Sequence, residues 1–300
     1  MKIPAALRFL KTFLRTEKYF NPGVRIFSCH RVKPISAQDR FYERAVKFPI
    51  CIDPLEFEGK IKAINSKYRI ISFRDFLDGR APRNAAILTF DDGYKDFYIN
   101  AYPILKKHGI PASVFLVVDF IGTDRMFWWD KLTNIIFSAK SGSFDSCDIN
   151  DEKEKEELLL RTLKKMKSFE DAQKTDYLNM MEEELSGEGG IGDNLNWDDV
   201  REMRGNGISF ESHSMSHLAL TQVSLQKAKE EILNSKTRIE QETKKKVSVF
   251  CYPHGAYNEM LKDIVKGSGY DCAVTVRNRI SSLNDDLFEL GRIRLEDAIV

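Results

Sequence analysis

Two short stretches bring together residue types that can act as one chemical unit. LTFDDGY (88–94) sets Asp91 beside Asp92, after an apolar run and before Gly93. ESHSMSH (211–217) sets His213 and His217 four residues apart. On a helical turn that spacing puts both imidazoles on one face, where they can grip a metal. By itself the pair is weak evidence, because such spacing is more often structural. Two His with one Asp give a neutral-nitrogen, anionic-oxygen ligand set that leaves positions open for water, as a catalytic zinc or similar divalent ion requires. The remaining Asp can then act as general base on that water, and the cation offsets repulsion between the carboxylates.

The elements that must position these residues read as alternating strands and helices. VRIFSCHRV (24–32) reads as a strand, 54–68 as a helix, RIISF as a short strand and AAILTF (85–90) as a buried strand running into the aspartates. YINAYPILKKHG (98–109) reads as a helix capped by Gly109, and PASVFLVVDF (111–120) as another buried strand. After a charged stretch the rhythm resumes with GISFESHS, a helix near 224–242, VSVFCY, a helix near 257–267 and DCAVTV. Near-continuous apolar strands alternating with helices imply a parallel sheet covered by helices. Both chemical stretches close strands, and strand C-termini form the functional rim of an α/β barrel.

The totals fit one such domain. The chain has 300 residues, 42% apolar, with net charge +1, so no global field points to nucleic acid. Its five cysteines are scattered with no CxxC spacing, which argues against a disulfide framework or a cysteine zinc site and favours a reducing compartment. The expected organisation is a single domain over 1–300, with a helical insertion at about 122–196 whose charges read as a solvated face. Residues 1–20 read as an amphipathic helix, packed on the domain or lying at a membrane interface, and Arg8 and Lys11 interrupt any signal-peptide core. The expectation is a cytoplasmic protein, with peripheral membrane contact through that helix as its one tie to a lipid surface.

LTFDDGY, HSMSH and FCYPHG together resemble the polysaccharide deacetylases (the NodB-homology domain, carbohydrate esterase family four). The likeness runs from about His30 to Asp297, and WDDVREMRGNGISFESHS resembles the approach to the family's histidine motif. It implies a distorted (β/α) barrel of about seven parallel strands and metal-dependent removal of acetyl from an N-acetylated sugar. By motif, Asp91 is the base, and Asp92, His213 and His217 are the metal ligands. The metal is expected to be Zn2+, with Co2+, Ni2+ or Fe2+ as alternatives. The motif neighbours Tyr94, Tyr252, Pro253 and Gly255, with Trp129, are the expected substrate contacts.

The pattern departs from the family at two points. Many members orient the base with an arginine opening RxPxG, but here CYPHG places Cys251 there. Arg292, in ELGRIRLED, is the substitute candidate, against the plainer reading of a surface ion pair with Asp297. The late histidine that usually supplies the general acid is also missing. His30, in SCHRV, resembles the histidine of the poly-N-acetylglucosamine deacetylase branch and inherits the role, with His254 as the alternative. His108 reads as a helix-end residue meeting the dipole. Trp128 and Trp129 can line a sugar pocket, although the plainer reading has both anchoring the insertion.

Three functions compete on this reading. The first is a deacetylase acting on an N-acetylated sugar, an oligosaccharide or a nucleotide- or lipid-linked precursor. The second is an amidohydrolase of the same fold for a formyl or imide bond. The third is a catalytically silent sugar-binding member.

Overall fold

The computed structural model describes residues 23–298, apart from 48 and 141, so the amphipathic helix expected over 1–20 lies outside the described residues. The sheet strands are β1 (Arg25–Cys29), β2 (Arg69–Ile70), β3 (Ala85–Phe90), β4 (Ala112–Leu116), β5 (Ile208–Ser212), β6 (Val249–Cys251), β7 (Cys272–Val274) and β8 (Ile293–Arg294). Seven of them form one path, β7-β6-β5-β4-β3-β1-β8, and β2 pairs with the start of β3. Every pairing is parallel. β3 and β4 are buried along their whole length, as expected of strands covered on both faces.

The helices are α1 (Ala37–Val46), α2 (Pro54–Lys67), α3 (Phe73–Leu77), α4 (Tyr102–His108), α5 (Trp128–Ser138), α6 (Glu152–Met166), α7 (Asp171–Leu185), α8 (Trp197–Arg204), α9 (Leu225–Thr243) and α10 (Glu259–Gly267). Ile26, Ile87, Phe115, Val249 and Val274 meet in an inner core, while Phe27, Leu88, Val114 and Phe210 pack outward against residues such as Ile61, Ile232 and Val265. The strand period of two therefore separates a barrel interior from a helix-covered exterior. Closure comes from the last segment. Leu290 is hydrogen-bonded to the backbone of Ala273 and Thr275, and Ile293 and Arg294 pair with Phe27 and Ser28. This is the distorted (β/α) barrel that the resemblance implies, built from the parallel, helix-covered sheet that the alternation of elements implies.

Several elements differ locally from their sequence reading. The strand expected over 24–32 breaks at His30, and Arg31–Val32 turns away to pair with Cys51–Ile52. The helix expected from 98 opens with a π-helical turn, Phe97–Ala101, because Pro103 has no N–H to offer the regular ladder. Beyond Leu116 the chain leaves the sheet for a 3₁₀ turn, Val118–Phe120. All five cysteines are free and buried. No described helix is long and apolar enough to cross a membrane.

The excursion over 122–196 is more than a solvated face. α5, α6 and α7 enclose a second apolar core that includes Ile135, Ile136, Leu158, Leu163 and Met181, and α1 adds Phe41 and Ala45 to it. Its returning end is stitched onto the turn that carries the aspartates. Leu195 N–H donates to Gly93 O at 2.9 Å, Lys95 N–H donates to Asp193 O at 3.0 Å, and Tyr94 bridges Asn194.

Candidate active site

Along β3, Ala85 and Ile87 face the barrel interior, and the same alternation turns Thr89 and Asp91 inward at its top. Asp92 would face the other way in an extended chain. It instead adopts φ 74°, a left-handed conformation uncommon for a residue with a side chain, and Gly93 follows at φ 82°. A Cβ on Gly93 would lie 3.0–3.1 Å from side-chain carbons of Ile121 and Leu116, so glycine fits both the angle and the space.

The two carboxylates have different surroundings. Arg292 Nη1 and Nη2 donate to Asp91 Oδ1 and Oδ2 at 2.6 and 2.8 Å, a bidentate fork. The same guanidinium donates from Nη1 to Thr89 Oγ1, from Nε to the Thr275 carbonyl and from Nη2 to Cys251 Sγ at 3.2 Å. Arg292 is 3% exposed, and the exposed ion pair of this segment joins Arg294 to Asp297 instead. Burial alone would raise the Asp91 pKa, but Arg292 outweighs it and holds the carboxyl below its usual range. Asp92 has no such partner. Burial first, and then the Asp91 charge, push its pKa well up, and its Oδ1 has no hydrogen bond.

His213 and His217 do not share a helical turn. They sit on an irregular loop after β5, with Ser214 at φ 70° and His217 at φ 62°. The loop is held by Glu231 of α9, whose carboxylate accepts the N–H groups of Met215 and Ser216 and the Ser216 hydroxyl. Both Nε2 atoms lie 3.6 Å from Asp92 Oδ1. His213 Nδ1 donates to the Cys251 carbonyl at 2.8 Å, which leaves the Nε2 lone pair facing Asp92. Burial pushes the His213 pKa down to about 4 and holds that of His217 well below its usual value, so both imidazoles are neutral near pH 7.

The His213 Nε2 lone pair cannot satisfy a carboxylate oxygen, and neither imidazole hydrogen-bonds Asp92 Oδ1 across 3.6 Å, but a cation held by all three groups can. Ligand bonds of about 2.0–2.2 Å place tetrahedral donors about 3.3–3.6 Å apart, in line with the spacing here. Asp92, His213 and His217 therefore fit a divalent metal. The neighbouring grouping of Asp91, His213 and Cys251 does not. Arg292 already takes both oxygens of Asp91, and the Cys251 thiol is held protonated by burial.

The site opens into a cavity of about 320 Å3 that also includes His30, Tyr94, Trp128, Trp129, Tyr252, His254 and Gly255 in its walls. His30 Nε2, on a half-buried side chain, lies 3.8 Å from Asp91 Oδ2, with its pKa lowered first by that partial burial. His254, at φ 58°, stands edge-on to His217 with ring centres 4.6 Å apart. Trp129 stacks on Phe127, stands 5.0 Å from the His217 ring and donates to the Tyr94 hydroxyl, which itself donates to Asp130 at 2.8 Å. Both tryptophans also pack against the second core, so they anchor the insertion and line the cavity at once. The Tyr252 hydroxyl donates to the Phe288 carbonyl, leaving its ring to the site. Pro253 is buried beneath the turn and is not among the cavity walls. His108 pairs with Glu58 at 2.8 Å, away from the site.

Sequence reasoning missed Glu231 and the pair of Arg31 with Asp96 (2.7 Å), whose guanidinium lies 4.2 Å from the Tyr94 ring centre. Glu231 had a signal: it is a charged residue at a core-facing position of α9, beside Ala228 and Ile232.

A parallel barrel with carboxylates and imidazoles converging at its strand ends has the form of a hydrolase. The chain belongs to the polysaccharide deacetylase family, whose model matches residues 78–273. It is 23% identical over 218 residues to the Bacillus subtilis (strain 168) protein YxkH, covering 73% of this chain and 54% of that protein. It is 27% identical over 126 residues to poly-beta-1,6-N-acetyl-D-glucosamine N-deacetylase of Staphylococcus aureus (strain MSSA476), covering 39% and 43%. The chain thus spans about half the length of these relatives. Its fold matches the Streptococcus pyogenes deacetylase PplD in complex with acetate, with TM-score 0.61 and 21% identity over 91% of this chain and 92% of that one. It also matches IcaB from Ammonifex degensii, with TM-score 0.60 and 17% identity over 91% of each chain.

Two substitutions probe this arrangement. Glu231→Gln weakens Zn2+ binding about 10–100-fold, measured by competition with a chromogenic chelator, because the loop carrying both histidines loses its anchor. Unaltered affinity would show that Glu231 only packs. Arg292→Ala strands a buried carboxylate and lowers stability by about 3–5 kcal/mol in urea unfolding, and adding Asp91→Asn recovers part of that loss. Strictly additive losses would mean that the two side chains are not coupled.

Proposed function

We propose that the chain removes acetyl from an N-acetylated sugar, acting on a polysaccharide or glycoconjugate. One observation carries this reading: a fork-held Asp91 sits beside an unpartnered Asp92 that faces two neutral imidazoles. A proton-accepting group and a ligand set are thereby separated within one dipeptide. With Arg292 on both oxygens, Asp91 keeps lone pairs free to take a proton from a water. A base this weak needs a water of raised acidity, and a divalent ion bound by Asp92, His213 and His217 supplies that chemistry, Zn2+ lowering the pKa of water to about 7.

Asp91 does not retain the proton, because Arg292 disfavours its protonated form. His30, close to Asp91 and neutral at rest, takes it on and delivers it to the departing amine. Trp129 offers the acetamido sugar an aromatic face. The silent-member reading loses its main ground, since a guanidinium reaches Asp91 although position 251 is cysteine.

Acetate release from N-acetylglucosamine oligosaccharides tests the reading. Activity disappears after chelation and returns with Zn2+ or Co2+; full turnover in a verified metal-free sample would sink it. Replacing His30 by Ala lowers kcat by about 10²–10⁴-fold with metal content intact, the usual contribution of a positioned acid or base. An unchanged rate moves that role to His254.

A further inference from the structure

The insertion does more than cover the site. One face of α6 and its C-terminal end lines the cavity with Leu160, Leu163, Lys164 and Lys167, spaced so that all four share one side of a helix. Val46, Ile50 and, from the turn after β7, Val276 also line the cavity. The leucines give this roof an apolar body, and the exposed lysines reach the rim.

The charges in the walls are unevenly matched. Arg31 is neutralised by Asp96 and Arg292 by Asp91. Lys155, Lys165 and Lys174 of the insertion are engaged, with the Ala139 carbonyl, the Tyr177 hydroxyl and Asp171 respectively. Lys164 and Lys167 alone among the cavity's cationic side chains have no carboxylate within 4 Å among the described residues. A neutral glycan offers two such ammoniums only hydroxyls in exchange for their hydration, whereas an anion gives charge-assisted hydrogen bonds.

We propose that Lys164 and Lys167 form an anion subsite, and that the substrate's N-acetylated sugar carries a phosphoryl or carboxylate group. This rests on the deacetylase reading above and narrows its substrate class. In the reaction, the anion at the rim orients the sugar while the apolar face of α6 covers its ring. The cavity lies at the small end of the roughly 300–1,000 Å3 typical of ligand pockets, enough for one substituted sugar.

The test compares metal-loaded, full-length wild type with K164Q/K167Q and with K165Q, whose ammonium meets Tyr177 instead. Acetate release is followed from methyl N-acetylglucosaminide, N-acetylglucosamine 1-phosphate, N-acetylglucosamine 6-phosphate and a methyl N-acetylhexosaminuronide. Wild type and K165Q favour an anionic substrate over the neutral one by about tenfold in kcat/KM, and K164Q/K167Q brings that ratio to within about twofold. The best anionic arm tells phosphoryl from carboxylate recognition. Equal use of neutral and anionic sugars by wild type, or a preference that survives K164Q/K167Q, overturns the proposal. The same compounds are titrated against tryptophan fluorescence, which reports binding without turnover. If no compound releases acetate, the deacetylase reading fails, and the titration still decides the subsite. Tighter anion binding by wild type than by K164Q/K167Q upholds it, and equal binding overturns it.

Discussion

The site depends on one buried ion pair, the fork between Arg292 and Asp91. A lone buried carboxylate beside another is costly, and so is a lone buried guanidinium. Here each removes the cost of the other, and the remaining N–H groups of Arg292 go to Thr89, the Thr275 carbonyl and the Cys251 thiol. Those partners belong to β3, the end of β7 and β6. The guanidinium therefore ties together strand ends that the sheet hydrogen bonds leave open. Its own position is set by the closing segment, held to Ala273 and Thr275 on one side and to β1 on the other. Barrel closure and orientation of the base are thus a single structural event.

This pair also answers why two aspartates adjoin. Asp91 is spoken for by Arg292, while the left-handed backbone of Asp92 carries its carboxylate toward the histidines. Of the nine non-glycine residues with positive φ among those described, Asp92, Ser214, His217 and His254 crowd this one rim. Such conformations cost about 1–3 kcal/mol each and persist where surroundings over-determine them. Glu231 on the histidine loop and the carbonyl of Cys251 under His213 are that support.

Much of this was legible in the sequence because strand ends are legible. AAILTF and GISF announce buried strands, and the residues that follow them must lie at the rim. His30 was visible only through its likeness to the histidine of a related branch, and the end of β1 at that residue was not, since VRIFSCHRV reads as one continuous strand. Arg292 could be named only as a candidate. It meets Asp91 across 201 positions, and nothing local distinguishes it from Arg294 two residues on. The histidine spacing suggested a helical turn, but hydrogen bonds from Glu231, outside the motif, impose a loop. The charged excursion concealed most. Its lysines and glutamates suggest a solvated helix, and only packing against α1 and α5 shows which side of α6 meets solvent and which meets the cavity.

The stitching of residues 193–195 onto the DDG turn has a consequence for how such a molecule can change. A roof attached only at its outer edge could be exchanged freely between related barrels, altering substrate choice and nothing else. This roof hands its last residues to the same turn that carries the reactive carboxylates, so a change in its length or pitch is felt as a torque on Asp91 and Asp92. Selectivity and reactivity are mechanically geared together. Diversification of the roof is then confined to its distant loops and exposed side chains, while the returning segment 193–195 stays fixed.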